Sequence, residues 1–88
     1  MFDAALNRRL ALLETYYATI DAEIRVQEEI ISTYEGMISF CPNGEGADPL
    51  LDRIDAAKAE IAQLGKDRAE IDRMWNEALL EHEGKVAA

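Results

Sequence analysis

The two side chains best suited to nucleophilic catalysis and soft-metal binding each occur once in the chain, as Cys41 and His82. A cysteine nucleophile needs a nearby base, and a zinc or transition-metal site needs several nitrogen or sulfur ligands that converge on one point. One thiol and one imidazole, far apart in the sequence, cannot supply either set. We therefore predict no metal ion and no cofactor.

Carboxylates are the remaining candidates for chemistry, and they often occur close together, as in Glu28 with Glu29, Asp52 with Asp55, and Glu70 with Asp72. Acid–base catalysis needs carboxyl groups in a cleft that separates their pKa values. A di-iron helix carries Glu three residues before His, but Leu79 stands there before His82. Calcium-loop, phosphate-loop, dinucleotide and Ser-His-Asp patterns are also missing. We expect no catalytic residues and no enzymatic activity.

The elements that position these side chains are indicated by two runs of mainly apolar residues. Within each run, successive residues are alternately three and four positions apart. The mean step of about 3.5 residues keeps one narrow seam of a helix turned toward a partner helix. The first run is Leu6, Leu10, Leu13, Tyr17, Ile20, Ile24, Gln27, Ile31, Tyr34 and Ile38. The second run is Leu50, Ile54, Ala57, Ile61, Leu64, Arg68, Ile71, Trp75, Ala78 and His82.

Boundary signals divide the chain into two helices and one turn. Asp3 is a candidate N-cap, and the segment 41–46 (Cys-Pro-Asn-Gly-Glu-Gly) is the densest in helix breakers. Asp48 and Pro49 then suit the start of a second helix. We predict helix 1 at about residues 3–39, the turn at about 40–48, helix 2 at about 49–83 and, after Gly84, a frayed tail at 84–88. All 88 residues form one domain in this interpretation.

The two seams match each other across the turn. With Ile38 opposite Leu50, facing residues have numbers that add to 88, and every other seam residue then falls opposite a seam residue. The sequence therefore predicts an all-α fold of two long antiparallel helices, a coiled-coil-like helical hairpin.

Gln27 and Arg68 interrupt the seams. Polar residues at such positions lower stability but fix register or oligomeric state. In the predicted register Arg68 lies near the height of Asp21, so its stem can cover apolar surface while its guanidinium reaches the flank. We favour this structural role; the alternative is a pocket in a helical bundle.

The seams leave two sets of residues unexplained. An acidic ridge lies along one flank of helix 1, and we predict it as a partner-binding surface: Glu14, Asp21, Glu28 and Glu35. Apolar side chains beyond the seams predict an interface with a second copy or with another protein: Phe2, Tyr16, Ile30, Met37, Met74, Trp75, Leu79 and Leu80. A second copy would complete an antiparallel four-helix bundle. At the turn, Phe40 is a further candidate contact.

Charge and composition limit the partners and the compartment. Eighteen acids and nine bases give a formal net charge of −9, which disfavours nucleic acids and anionic membranes. No apolar stretch approaches the roughly 20 residues of a transmembrane helix. One unpaired cysteine and the absence of a signal-peptide pattern favour the cytoplasm.

Two classes of function follow from this pattern. The first is a non-enzymatic inhibitor or regulator that docks its acidic hairpin on a basic surface of a partner protein, such as a surface that binds nucleic acid. Small phage counter-defence proteins, anti-CRISPR or antirestriction inhibitors, act in this way. The alternative is a structural or assembly module that dimerises, or a helical adaptor or chaperone.

Overall fold

The hairpin is built from two helices and a short turn. The computed structural model describes residues 3–87, with the backbone alone for 85–87. Helix α1 comprises Ala4–Ile38, a 3-10 turn follows at Pro42–Gly44, and helix α2 comprises Ala47–Ala87. The two helices pack side by side in a rod of 68 × 15 × 12 Å. The predicted all-α helical hairpin is confirmed.

The N-terminus of α1 is capped as the sequence predicts. The backbone of Asp3 is extended, and its side chain accepts a 2.6 Å hydrogen bond from the Leu6 backbone amide. The Asp3 carbonyl accepts the first helical bond, from the Asn7 amide at 3.0 Å. These two bonds satisfy amide groups that have no partner within the helix, so Asp3 fixes the starting residue.

The turn depends on three residues in the left-handed backbone region. Asn43, Gly44 and Gly46 have φ values of 56°, 75° and 79°. This region is costly for most side chains and accessible to glycine and asparagine. Immediately after it, Ala47 is buried against the hairpin, with 6% of its surface exposed.

Helix α2 is longer than predicted at both ends. It begins two residues before Pro49, whose missing amide donor costs nothing in the first turn. It does not end at Gly84 as predicted but continues through Ala87, while Ala88 lies outside the described residues. A glycine stops a helix when it turns to positive φ, and Gly84 does not. Without that turn it costs only about 1 kcal/mol within a helix.

The predicted seams form the core between the two helices. All twenty seam residues are buried or partly buried, whereas most residues outside them are exposed. Buried side chains occur along the whole hairpin. At the open end Leu6, Leu10 and Ala78 form a cluster, with Trp75 and Leu79 packed against it.

Three contacts between the helices establish their register. The Arg53 guanidinium donates to the Tyr34 hydroxyl, Arg68 to Asp21, and Arg9 to Glu81. The paired numbers add to 87, 89 and 90, close to the predicted 88. The helices are therefore antiparallel in the predicted register.

Candidate interaction surfaces

Arg68 holds the two helices together at the middle of the hairpin. Its Nη1 donates to Asp21 Oδ1 at 2.9 Å, and its guanidinium lies 5.9 Å from the centre of the Tyr17 ring. Arg25, one turn along α1, also contacts Asp21, at 3.0 Å. The predicted approach of Arg68 to Asp21 is confirmed, and these contacts occupy the guanidinium within the hairpin.

Two more arginines bridge the helices nearer the ends, and neither contact was predicted from the sequence. Arg9 pairs with Glu81 at 2.9 Å at the open end. Arg53 donates to the Tyr34 hydroxyl at 3.0 Å and also lies 5.7 Å from that ring's centre. All four residues belong to the seams or their flanks, so the register could have suggested both pairs.

The acidic ridge is not uniform. Asp21 is shared between two arginines and only 32% of its side chain is exposed. Glu14, Glu28 and Glu35 are exposed, and their carboxylates make no hydrogen bond or ion pair with any described residue. The ridge therefore offers three carboxylates to a partner, because Asp21, its second member, is occupied by contacts within the hairpin.

The predicted apolar interface residues divide into three groups. Trp75 and Leu79 pack against the open-end cluster within the hairpin, and Ile30 and Met74 are half-buried. The exposed members are Tyr16 at 53%, Met37 at 48% and Leu80 at 65%. Phe2 lies outside the described residues.

Four other large apolar side chains are also exposed. Phe40 is 86% exposed at the turn, and Leu51 is 46% exposed on the adjoining part of α2. Leu12 and Val26 are each 53% exposed on the side of α1 that faces away from α2. The seam pattern assigns the positions of Leu12 and Val26 to the solvent side of α1.

The outer side of α2 carries charged residues on both sides of an uncharged stretch at Ala56, Ala59 and Ala62. Near the turn it carries Asp48, Asp52 and Asp55, all exposed. Farther along, Arg73 bonds Glu70 and Glu77 on the same helix. The hydrogen bond from Arg73 lowers the pKa of the Glu70 carboxyl below its model-peptide value.

Cys41 and His82 lie at opposite ends of the 68 Å rod, so they cannot act together. The Cys41 thiol donates to the Met37 carbonyl at 3.6 Å. His82 lines a shallow groove at the open end with Asp3 and Glu81.

No three His, Cys, Asp or Glu side chains among the described residues are grouped closely enough to hold a metal ion. Within the same range, neither helix combines the length and apolar character needed to cross a membrane.

Comparisons with other proteins give no relative from which a role could be transferred. The chain matches no family model, and comparisons with curated proteins and with solved structures find no match.

Proposed function

We propose that this chain is a non-enzymatic protein-binding inhibitor or regulator, which docks an acidic surface of its hairpin on a basic surface of a partner protein. The surface best suited to docking is the turn half of the hairpin, residues 28–60, which the register pairs from end to end. A cytoplasmic location belongs to the same proposal.

The distribution of charge is the observation that carries this proposal. Residues 28–60 contain eight acids and two bases, so this segment has a net charge of −6 of the total −9. None of these eight carboxylates forms an ion pair with another described residue. Glu60 lines a groove beside the seam with Tyr34 and Arg53, and the other seven acids lie outside that groove. By contrast, five ion pairs between arginines and carboxylates among the described residues all lie in the open half.

Exposed charge of one sign attracts a surface of the opposite sign and repels like surfaces. A basic protein surface, such as one that normally holds nucleic acid, is the partner with this complementarity. Phe40, 86% exposed at the tip, adds an aromatic side chain of the kind that anchors protein interfaces. An acidic hairpin docked there would block the surface, as small phage counter-defence inhibitors do.

The proposal is tested by capturing partners from the source cell and then measuring binding of the purified partner. One variant neutralises the turn half through Glu28→Gln, Glu35→Gln, Asp48→Asn and Asp52→Asn. A matched control neutralises four acids of the open half, through Glu14→Gln, Glu23→Gln, Asp72→Asn and Glu83→Gln. We expect the first variant to lose binding and the control to retain most of it.

Salt provides a second readout. The screening length falls from about 10 Å at 0.1 M to about 3 Å at 1 M, so docking through exposed carboxylates should weaken steeply over that range. A partner that stays bound equally well in molar salt, or that is released equally by both variants, would contradict the acidic-surface mechanism.

The exposed apolar side chains favour a second candidate, a structural or assembly module that dimerises or an adaptor or chaperone for another helix. This role predicts that association depends on the apolar surface and not on the acids. Tyr16→Ala and Leu80→Ala are suitable tests because both side chains are exposed. Trp75→Ala is less informative, since Trp75 also packs within the hairpin.

A further inference from the structure

The outward side of α1 carries a strip without charge. We define the outer strip as seven exposed residues of α1 that face away from α2: Ala11, Leu12, Thr15, Ala18, Thr19, Ala22 and Val26. Most of them line one open groove along α1, which has Glu14 and Glu23 at its edges. No charged side chain faces directly outward from Ala11 to Ala22, in a chain with 31% charged residues; Arg25, 77% exposed, then precedes Val26.

The polar atoms of the strip are already satisfied within the helix. The Thr15 hydroxyl donates to the Ala11 carbonyl at 3.0 Å, and the Thr19 hydroxyl donates to the Thr15 carbonyl at 2.9 Å. Because these hydroxyls have partners, another surface can cover the strip without leaving a hydroxyl donor unpaired. Leu12 and Val26, each 53% exposed, supply the larger apolar groups near its two ends.

One line of residues runs along the centre of the strip, and its charges are complementary to those of the same line in a second copy that runs in the opposite direction. Arg8, Thr15, Ala22 and Glu29 are seven residues apart and therefore lie on one line of the helix. A cation stands at one end and an anion at the other, with small side chains between them. Both charged residues are exposed, and neither forms an ion pair with another described residue.

We propose that a second copy of this chain docks antiparallel on the outer strip of α1, across a two-fold axis between Ala18 and Thr19. Arg8 of each copy then faces Glu29 of the other, and Thr15 faces Ala22. On one side of this line Leu12 of each copy packs against Val26 of the other. A parallel arrangement would instead place Arg8 against Arg8 and Glu29 against Glu29, so charge selects the antiparallel one.

Charge also explains why the second copy docks here and not on α2. Two copies with a net charge of −9 each repel, unless they meet where acids do not face acids. The outer side of α2 carries Asp52, Asp55 and Glu70. At the outer strip the acids Glu14 and Glu23 lie only at the edges of the groove, and the strip between them carries no charge. Since the strip lies opposite the seam, the four helices form a flat row with the two α2 helices outermost. In this arrangement the second copy contacts the outer strip of α1 and none of the apolar interface residues predicted from the sequence.

The size of the contact sets the expected affinity. From residue 8 to residue 29 the helix rises by about 31 Å. One helix-on-helix contact of that length buries roughly 1,000 Å² in total, at the lower limit for specific interfaces. We therefore expect a dissociation constant in the micromolar range. This inference is independent of the proposed docking of the turn half.

Sedimentation equilibrium of the full chain over a concentration series tests the dimer. We expect the wild type to pass from monomer to dimer mass. Ala18→Glu places two carboxylates beside the two-fold axis and should raise the dissociation constant by at least about tenfold. Ala62→Glu on the outer side of α2 adds the same charge at an exposed alanine and should leave the constant unchanged. Circular dichroism checks that both variants keep the helical hairpin.

A charge exchange tests the antiparallel arrangement. Arg8→Glu and Glu29→Arg should each weaken the dimer, and the double variant should restore it, because the two substitutions recreate both pairs in reversed polarity. A wild-type chain that stays monomeric throughout would overturn the proposal. So would a dimer that Ala18→Glu leaves intact, or one that the double variant does not restore.

Discussion

Replacing Arg68 with methionine removes the guanidinium at the middle of the hairpin while keeping an unbranched stem in the seam. The Arg68 and Asp21 side chains are 36% and 32% exposed, so their 2.9 Å contact is partly shielded from water. Fully exposed ion pairs contribute about 0.2–1 kcal/mol, and hydrogen bonds to charged groups about 1.5–3 kcal/mol. We therefore expect a coupling free energy of about 1 kcal/mol between the two residues.

A double-mutant cycle measures this coupling. It compares the free energy of unfolding of the wild type, Arg68→Met, Asp21→Asn and the double variant by urea denaturation, followed by far-UV circular dichroism. All four proteins are measured at one concentration well below the expected micromolar dissociation constant, so that self-association does not contribute. Raising the salt to 1 M should reduce the coupling, because the screening length falls to about 3 Å.

Arg25→Met is the matched control, since Arg25 contacts the same carboxylate at 3.0 Å but is 77% exposed. Its removal should cost only about 0.2–0.5 kcal/mol. A coupling free energy between Arg68 and Asp21 below about 0.3 kcal/mol would not differ from the value expected for two residues that do not interact. That result would refute the reasoning and leave Arg68 with its stem as its only structural contribution.

Three further predictions concern the core, the backbone and one carboxyl group. Leu13→Ala should lower the free energy of unfolding by about 3 kcal/mol in urea denaturation, because Leu13 is only 4% exposed. Gly46→Ala should lower the free energy of unfolding by about 1 kcal/mol, because Gly46 has a φ of +79°. Gly36→Ala should raise it by about 0.5 kcal/mol in the same assay, because Gly36 lies within α1 with open space around it. Carboxyl NMR should place the pKa of Glu70 below 4.5, and Arg73→Gln should raise it; any stability from this pair is therefore present above pH 4.5 and lost as the pH falls through the lowered value.

The fold was predictable because a seam of period 3.5 records which side of a helix is buried. That period placed all twenty seam residues correctly, including the polar Gln27 and Arg68. The register followed from the short turn, and it brought Arg68 to Asp21 as predicted. A burial pattern and a loop length are both local properties of a sequence, which is why they could be read directly.

The sequence did not predict correctly where α2 ends or which residues two of the long arginine side chains contact. Gly84 can end a helix or continue it, and nothing in its local sequence decides between the two. Arg9 and Arg53 could have remained solvated, but rotamers across the seam bring them to Glu81 and Tyr34. Such choices depend on side-chain geometry between the helices, which periodicity does not contain.

The two proposed surfaces are compatible with each other in one molecule. The self-association contact covers residues 8–29 of α1, whereas the acidic turn half comprises residues 28–60, so they meet only at the edge of the contact. An antiparallel dimer centred between Ala18 and Thr19 directs the two turns to opposite ends, about 65 Å apart at about 1.5 Å per residue. A dimer would thus present two acidic tips at a fixed separation, and a partner with two basic surfaces at that spacing would gain avidity from both. Ala18→Glu should then weaken binding to such a partner while leaving the affinity of each tip for a single basic surface unchanged.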